Sequence, residues 1–169
     1  MELIKATKED FKKIYDEMTH SFPKEEIRDF CDALTAFKDP DYTVFHTVKR
    51  GKKIGFITLW ELDGFAFCEH FVTYEEYRSK GYGKEVLEKL KCLYPILVLE
   101  CEPPVTDIAE RRLRFYERCG FVRNKNEYIQ PPYRSGDAGV PLIIMSYPCE
   151  LGDFHGAVKK IYSTVYKLG

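Results

Sequence analysis

Three short segments rich in β-branched and aromatic residues, Tyr42–Val48, Ile54–Glu61 and Phe65–Thr73, follow one another with almost nothing between them. The first gap is the turn Lys49-Arg50-Gly51-Lys52, and the second contains Asp63-Gly64, a dipeptide suited to a tight hairpin. Connections this short leave room only for antiparallel neighbours, so the middle of the chain reads as a β-meander. Immediately afterwards the pattern changes. Gly83–Leu93 carries Val86, Leu87 and Leu90 at helical spacing, and Ile96–Cys101 is a strand bounded by Pro95 and by Pro103-Pro104. A further helix is expected from a cap at Asp107 to Cys119, with Gly120 at its stop.

The flanks complete the pattern. Met1–Thr7 reads as a strand, and Lys8–Met18 as a helix with Phe11, Ile14, Tyr15 and Met18 on one stripe. Pro23 opens a second helix expected to run to Phe37 with Ile27, Phe30, Cys31 and Leu34 inward, until Asp39-Pro40 ends it. Phe121–Ile129 and Leu142–Tyr147 read as strands, and Asp153 caps a last helix through Leu168. The order is β-α-α-β-β-β-α-β-α-β-β-α: a mixed α/β fold in one domain spanning residues 1–169, the helix 153–168 being an extension. A chain of 169 residues buries roughly 70% of its unfolded surface, enough for a core without staples.

Charge narrows the partners. With 26 basic against 27 acidic residues there is no global field for a nucleic-acid backbone, and no nucleic-acid partner is expected. No apolar run reaches the roughly 18 residues of a membrane helix, and MELIKATKED lacks the apolar core of a signal peptide, so a cytoplasmic protein without a membrane partner is expected. Six scattered cysteines and four histidines show no metal-ligand spacing, which predicts reduced thiols and no metal.

Arg78-Ser79-Lys80-Gly81-Tyr82-Gly83-Lys84 lies between a strand and a helix. Glycines there permit a tight turn and leave amides uncovered, and the helix that follows starts with unpaired N–H groups. Together with three cations this predicts a site for a phosphate or pyrophosphate. The spacing is neither that of a P-loop nor that of the dinucleotide fingerprint.

The segment Arg78–Gly83 matches the Q/R-x-x-G-x-G/A signature of the GNAT superfamily of N-acetyltransferases. Glu69–Tyr77 resembles that family's fourth strand and its exit loop, and Phe115–Val122 is similar to its F/L-Y-x-x-x-G-F element. The resemblance implies a GNAT domain: a mostly antiparallel mixed sheet whose central parallel strands splay apart, with helices on both faces. It implies acetyl-CoA as co-substrate, with main-chain groups of Phe71, Val72 and Thr73 along the pantetheine arm. The pyrophosphate would lie on Arg78, Ser79, Lys80, Gly81, Tyr82, Gly83 and Lys84, with Tyr116 near the sulfur. Ala109 and Arg112 depart from the family, many of whose members carry Asn and Ala there. Either one of Arg111, Arg112 and Arg114 reaches the cofactor phosphates, or the three form an ion-paired helix face.

Transfer of acetyl to an amine acceptor requires a base to free the nitrogen lone pair and an acid for the departing thiolate. The resemblance makes Tyr116 the acid. Glu69 is the expected base: by strict alternation it shares a face with Phe67 and Phe71, where apolar surroundings raise a carboxylate pKa, and His70 faces away. A structural carboxylate paired with a cation is the alternative. Glu100 and Glu102 are expected to favour a cationic acceptor, unless they merely meet water at a strand end, and Trp60 and Tyr133 to wall its pocket. Cys68 and Cys101 lack a positioned base, so direct transfer without an acyl-enzyme is expected. The final helix packs on the sheet or forms a homodimer contact. A non-catalytic module that holds an acyl-CoA or another phosphate ligand for regulation is the competing reading.

Overall fold

The computed structural model describes residues 1–168. The chain runs through β1 (Glu2–Lys5), α1 (Phe11–Ser21), α2 (Phe30–Ala36), β2 (Tyr42–Lys49), β3 (Lys52–Leu62), β4 (Phe65–Thr73), α3 (Tyr82–Leu93), β5 (Leu97–Cys101), α4 (Asp107–Arg118), β6 (Val122–Arg123), β7 (Tyr128–Gln130), β8 (Val140–Tyr147) and α5 (Phe154–Thr164). The meander is present as β2–β3–β4, and one sheet takes the order β1-β2-β3-β4-β5-β8-β6, with β7 also paired to β8. All pairings are antiparallel except β4 with β5. This is the mixed α/β fold that the sequence pattern implies.

Helices cover both faces. On one, α3 and α4 place Val86, Leu87, Leu90 and Leu113 against Ile57, Leu59, Cys68 and Leu99. On the other, α5 sets Phe154 and Ile161 against Trp60, Phe67 and Val98, while Ile14 and Met18 of α1 cover Phe56 and Val72. The apolar stripe of α5 is thereby buried on its own sheet. No helix among the described residues is long and apolar enough to cross a membrane.

Three local expectations are corrected. The helix from Pro23 to Phe37 is broken: a 3-10 turn at Lys24–Glu26 gives way to extended backbone at Ile27 and Asp29 before α2 begins. The break turns Ile27 into the core and Arg28 onto the sheet, and leaves Phe30 partly exposed beside Phe11 and Tyr15. α4 is capped by Thr106, whose hydroxyl accepts from the Ala109 amide at 3.1 Å, and Asp107 is its first residue. Phe121–Ile129 is two short strands on the same edge of β8, with buried Asn124 between them, whose main-chain amide and side chain bond Ile144 O and whose side chain also joins Ser146 Oγ and the Leu151 amide.

Two irregularities in β4 shape the middle of the sheet. Leu59 pairs with Cys68 and Thr58 with His70, so Glu69 is the extra residue of a β-bulge. The parallel pairing of β4 with β5 begins at Ala66–Leu97 and ends at Cys68–Leu99, although β4 continues to Thr73. Beyond that last pair the two strands part.

Candidate functional site

A cleft of about 670 Å³ opens where β4 and β5 diverge. At one end is the start of α3. Gly81 holds φ at +78°, a left-handed conformation that side chains disfavour, and forms the turn into the helix. At Gly83 a Cβ would stand 3.1 Å from the Phe115 ring, so the missing side chain lets α4 approach α3. No side chain caps α3, and the Glu85 amide is the first to bond back, to Gly81 O at 3.4 Å. The amides of its first turn are left available at the positive end of the helix.

Phe71, Val72, Thr73, Arg78, Ser79, Gly81, Tyr82 and Gly83 all line this cleft, bringing the expected pantetheine and pyrophosphate residues together. Arg78 Nε donates to Thr73 O at 3.0 Å and ties the end of β4 to the loop. Lys80 and Lys84 are not part of the cleft. Lys80 Nζ bonds Glu76 O at 2.7 Å, and Lys84 lines a separate shallow groove with Met1 and Glu88. Of the α4 arginines, only Arg112 lines the cleft, and it pairs with Glu102 at 2.5 Å. Arg114 pairs with Glu110, and Arg111 Nε bonds Asp107 O in its own helix.

The bulge overturns the alternation expected for β4. Cys68 and Phe71 face α3 and α4, whereas Glu69 and His70, though consecutive, both face the opposite side with Phe67. Glu69 is therefore separated from Phe71 and joined to His70, whose Nδ1 lies 3.6 Å from Glu69 Oε2. The Glu69 side chain is 1% exposed and its oxygens are occupied. It pairs with Arg28 Nη1 and accepts from Trp60 Nε1 at 3.2 Å and Tyr133 Oη at 2.8 Å. Burial acts to raise its pKa, but the Arg28 charge and these bonds prevail and hold it below the usual carboxylate value. The raised pKa expected for a base at Glu69 is thus corrected. His70 offers no substitute: Nε2 donates to Glu26 O at 3.0 Å, which leaves Nδ1 to accept from Thr58 Oγ1 at 3.3 Å, and burial lowers its pKa.

Trp60 is also corrected. It is wholly buried under Arg28 and Tyr42 and does not wall the cleft, whereas Tyr133 does. Glu100 and Glu102 both reach the cleft, with Glu26 beside them. Glu100 accepts from Tyr128 Oη, and from Tyr166 Oη at 3.0 and 2.9 Å. Burial pushes its pKa up to about 8, with the two phenols acting against that rise. Tyr116 lines the cleft from α4 and its ring is buried; burial raises its pKa, so it carries its proton at neutral pH.

Arg28, Glu26, Tyr128 and Tyr166 went unnoticed as site residues in the sequence. Each reaches the fork from a distant segment, and none lies in a recognisable motif. The one available signal was Pro23 followed by a charged run, too common a pattern to single out Arg28.

A pyrophosphate-bearing thioester fits these residues: free helix-start amides and Arg78 at one end, an unpaired strand edge in the middle and Tyr116 beyond it. The acetyltransferase (GNAT) family model matches residues 8–121. A candidate acetyltransferase of Bacillus subtilis (strain 168), YjbC, is 29% identical over 109 residues, 63% of this chain; the match spans about half, 55%, of that protein's length. The solved structure of a candidate GNAT-family acetyltransferase from Bacteroides thetaiotaomicron is 33% identical, covers 100% of both chains and superposes with a TM-score of 0.91. A candidate streptothricin acetyltransferase from Bacillus anthracis str. Ames, solved with acetyl coenzyme A, shares the fold at 22% identity and a TM-score of 0.50, over 67% of this chain and 65% of that one. Acetyl-CoA is the donor this family uses.

Proposed function

Because the chain belongs to the GNAT family of acetyltransferases, we propose that it moves the acetyl group of acetyl-CoA directly onto a primary amine of a small molecule. The observation that carries this reading is the continuity of the cleft. It leads from the amides of α3, past Tyr116, to a chamber lined by Glu26, Glu100 and Glu102. The first end suits a pyrophosphate, and the second suits a cationic group such as an ammonium.

The chain's own groups have distinct tasks. Gly81, Tyr82 and Gly83, with Arg78, hold the donor's phosphates, and the unpaired edge of β4 from Phe71 to Thr73 lies along its arm. Tyr116 gives its phenolic proton to the thiolate as the C–S bond breaks. Transfer is direct. Cys68 is buried, its thiol pKa is pushed up by that burial, and His70 faces the other side of the sheet. Burial likewise pushes Cys101 up to about 11. Neither is a ready nucleophile at neutral pH.

The test is thiol release from acetyl-CoA across a panel of small primary amines, alcohols and thiols, after calorimetry has measured CoA binding. Turnover confined to amines is expected. CoA binding with no turnover on any acceptor would overturn the reading.

A further inference from the structure

Two carboxylates stand at the fork, one on each diverging strand, and they are held in opposite ways. Glu69 on β4 is locked to a cation, Arg28, with its remaining oxygen sites taken by Trp60 and Tyr133. Glu100 on β5 is the first residue past the last parallel pair, and it is bonded only by neutral phenols, Tyr128 from β7 and Tyr166 from just after α5. The other ionisable groups that face it are Glu69, Glu26 in the 3-10 turn, Tyr133 in the loop after β7, and Tyr162 on α5, and no cation among the described residues bonds it. Phenol donors keep a carboxyl in place whether or not it is charged, whereas a guanidinium favours the charged form alone. Paired acids pushed apart in this way divide the work of a site.

We propose that Glu100 is the general base of the transfer, with Glu69, fixed from behind by Arg28, serving as the wall against which the acceptor is positioned. The inference rests on the acetyl transfer proposed above. Glu100 takes one proton from the acceptor ammonium, and the freed nitrogen lone pair forms the new C–N bond at the thioester carbonyl. As the C–S bond breaks, Tyr116 protonates the sulfur and regains its proton from the nitrogen. Glu100 then returns the first proton to water, so the net products are the amide, CoA thiol and one proton. A pKa near 8 suits this role, strong enough to take a proton yet partly ionised at neutral pH.

The experiment uses the full chain with carbon-13 at glutamate carboxyls, together with steady-state kinetics on an amine that the wild type acetylates. The resonance missing in Glu100→Gln is expected to titrate near pH 8. The wild-type kcat/KM is expected to rise through that pH, and Glu100→Gln to lose about 100-fold in kcat and this acidic limb while binding CoA unchanged. Tyr166→Phe, which removes one donor to the ionised form, is expected to move the limb to higher pH. A Glu100 resonance in the ordinary carboxylate range, an unaltered pH profile in Glu100→Gln, or an unmoved limb in Tyr166→Phe overturns the role. Wild-type protein that binds CoA yet acetylates no amine removes the proposed function and this role with it; an active wild type with an unaltered Glu100→Gln profile removes the role alone.

Discussion

The Arg28 guanidinium lies against the Glu69 carboxylate with both side chains almost sealed from solvent, 10% and 1% exposed. Arg28 also donates to Val165 O at 2.7 Å and stacks 4.6 Å from the Tyr133 ring. One cation thus joins the broken helix region, the β4 bulge, the loop after β7 that carries Tyr133, and the end of α5. Removing it strands a buried charge. Arg28→Met is expected to cost about 3–5 kcal/mol in urea unfolding at pH 7, and adding Glu69→Gln to restore much of that loss. The Glu69 pKa is depressed in the fold, so its contribution is present above the unfolded carboxylate value and fades as pH falls. Acid unfolding curves of the double variant should lack that component.

Burial keeps the proton on Tyr116, which lines the cleft. Tyr116→Phe retains the ring and its packing. It should lower kcat by about 100-fold while leaving CoA affinity within a factor of about two, measured by thiol release and calorimetry.

Arg78 reaches the cleft and Lys84 does not. Arg78→Ala is expected to weaken CoA binding about tenfold, roughly 1.4 kcal/mol, and Lys84→Ala to leave it nearly unchanged by calorimetry.

Gly55 on β3 sits where β4 passes closest. A Cβ there would stand 2.0 Å from Val72 O, a backbone atom that cannot move without shifting the strand carrying Glu69. Gly55→Ala is expected to lie at the extreme of single substitutions, about 4 kcal/mol destabilising or unable to fold, by thermal melting.

Glu100 provides a stability signature separate from activity. Its pKa is raised in the fold, to about 8, above its unfolded value. The folded protein therefore holds an extra proton between those two values, and stability falls as pH rises across that window. The melting temperature of the wild type should drop from pH 6 to pH 9 more steeply than that of Glu100→Gln, by calorimetric scans at fixed ionic strength.

Short-range patterns made much of this molecule readable. The meander came from turn chemistry, the Gly81–Gly83 turn from conformational demand, and the apolar stripes of α1, α3 and α5 from helical spacing. The placement of Tyr116 at the cleft followed from the resemblance carried by Phe115–Val122. The bulge at Glu69 was not readable, because a single inserted residue is invisible in an alternating pattern until the partner strand is in register. His70 therefore seemed to face away from Glu69.

Residue order alone determined the β-meander, the turn to alternating strands and helices, and the glycine turn into α3, since each depends on neighbours a few positions apart. The opposite settings of the Glu69 and Glu100 carboxyls were decided only by the tertiary structure. They depend on Arg28, 41 residues before Glu69, and on Tyr128 and Tyr166, 28 and 66 residues beyond Glu100. Carboxylates of the same residue type acquire opposite proton affinities from the charge and burial around them, and those surroundings exist only once the chain has folded.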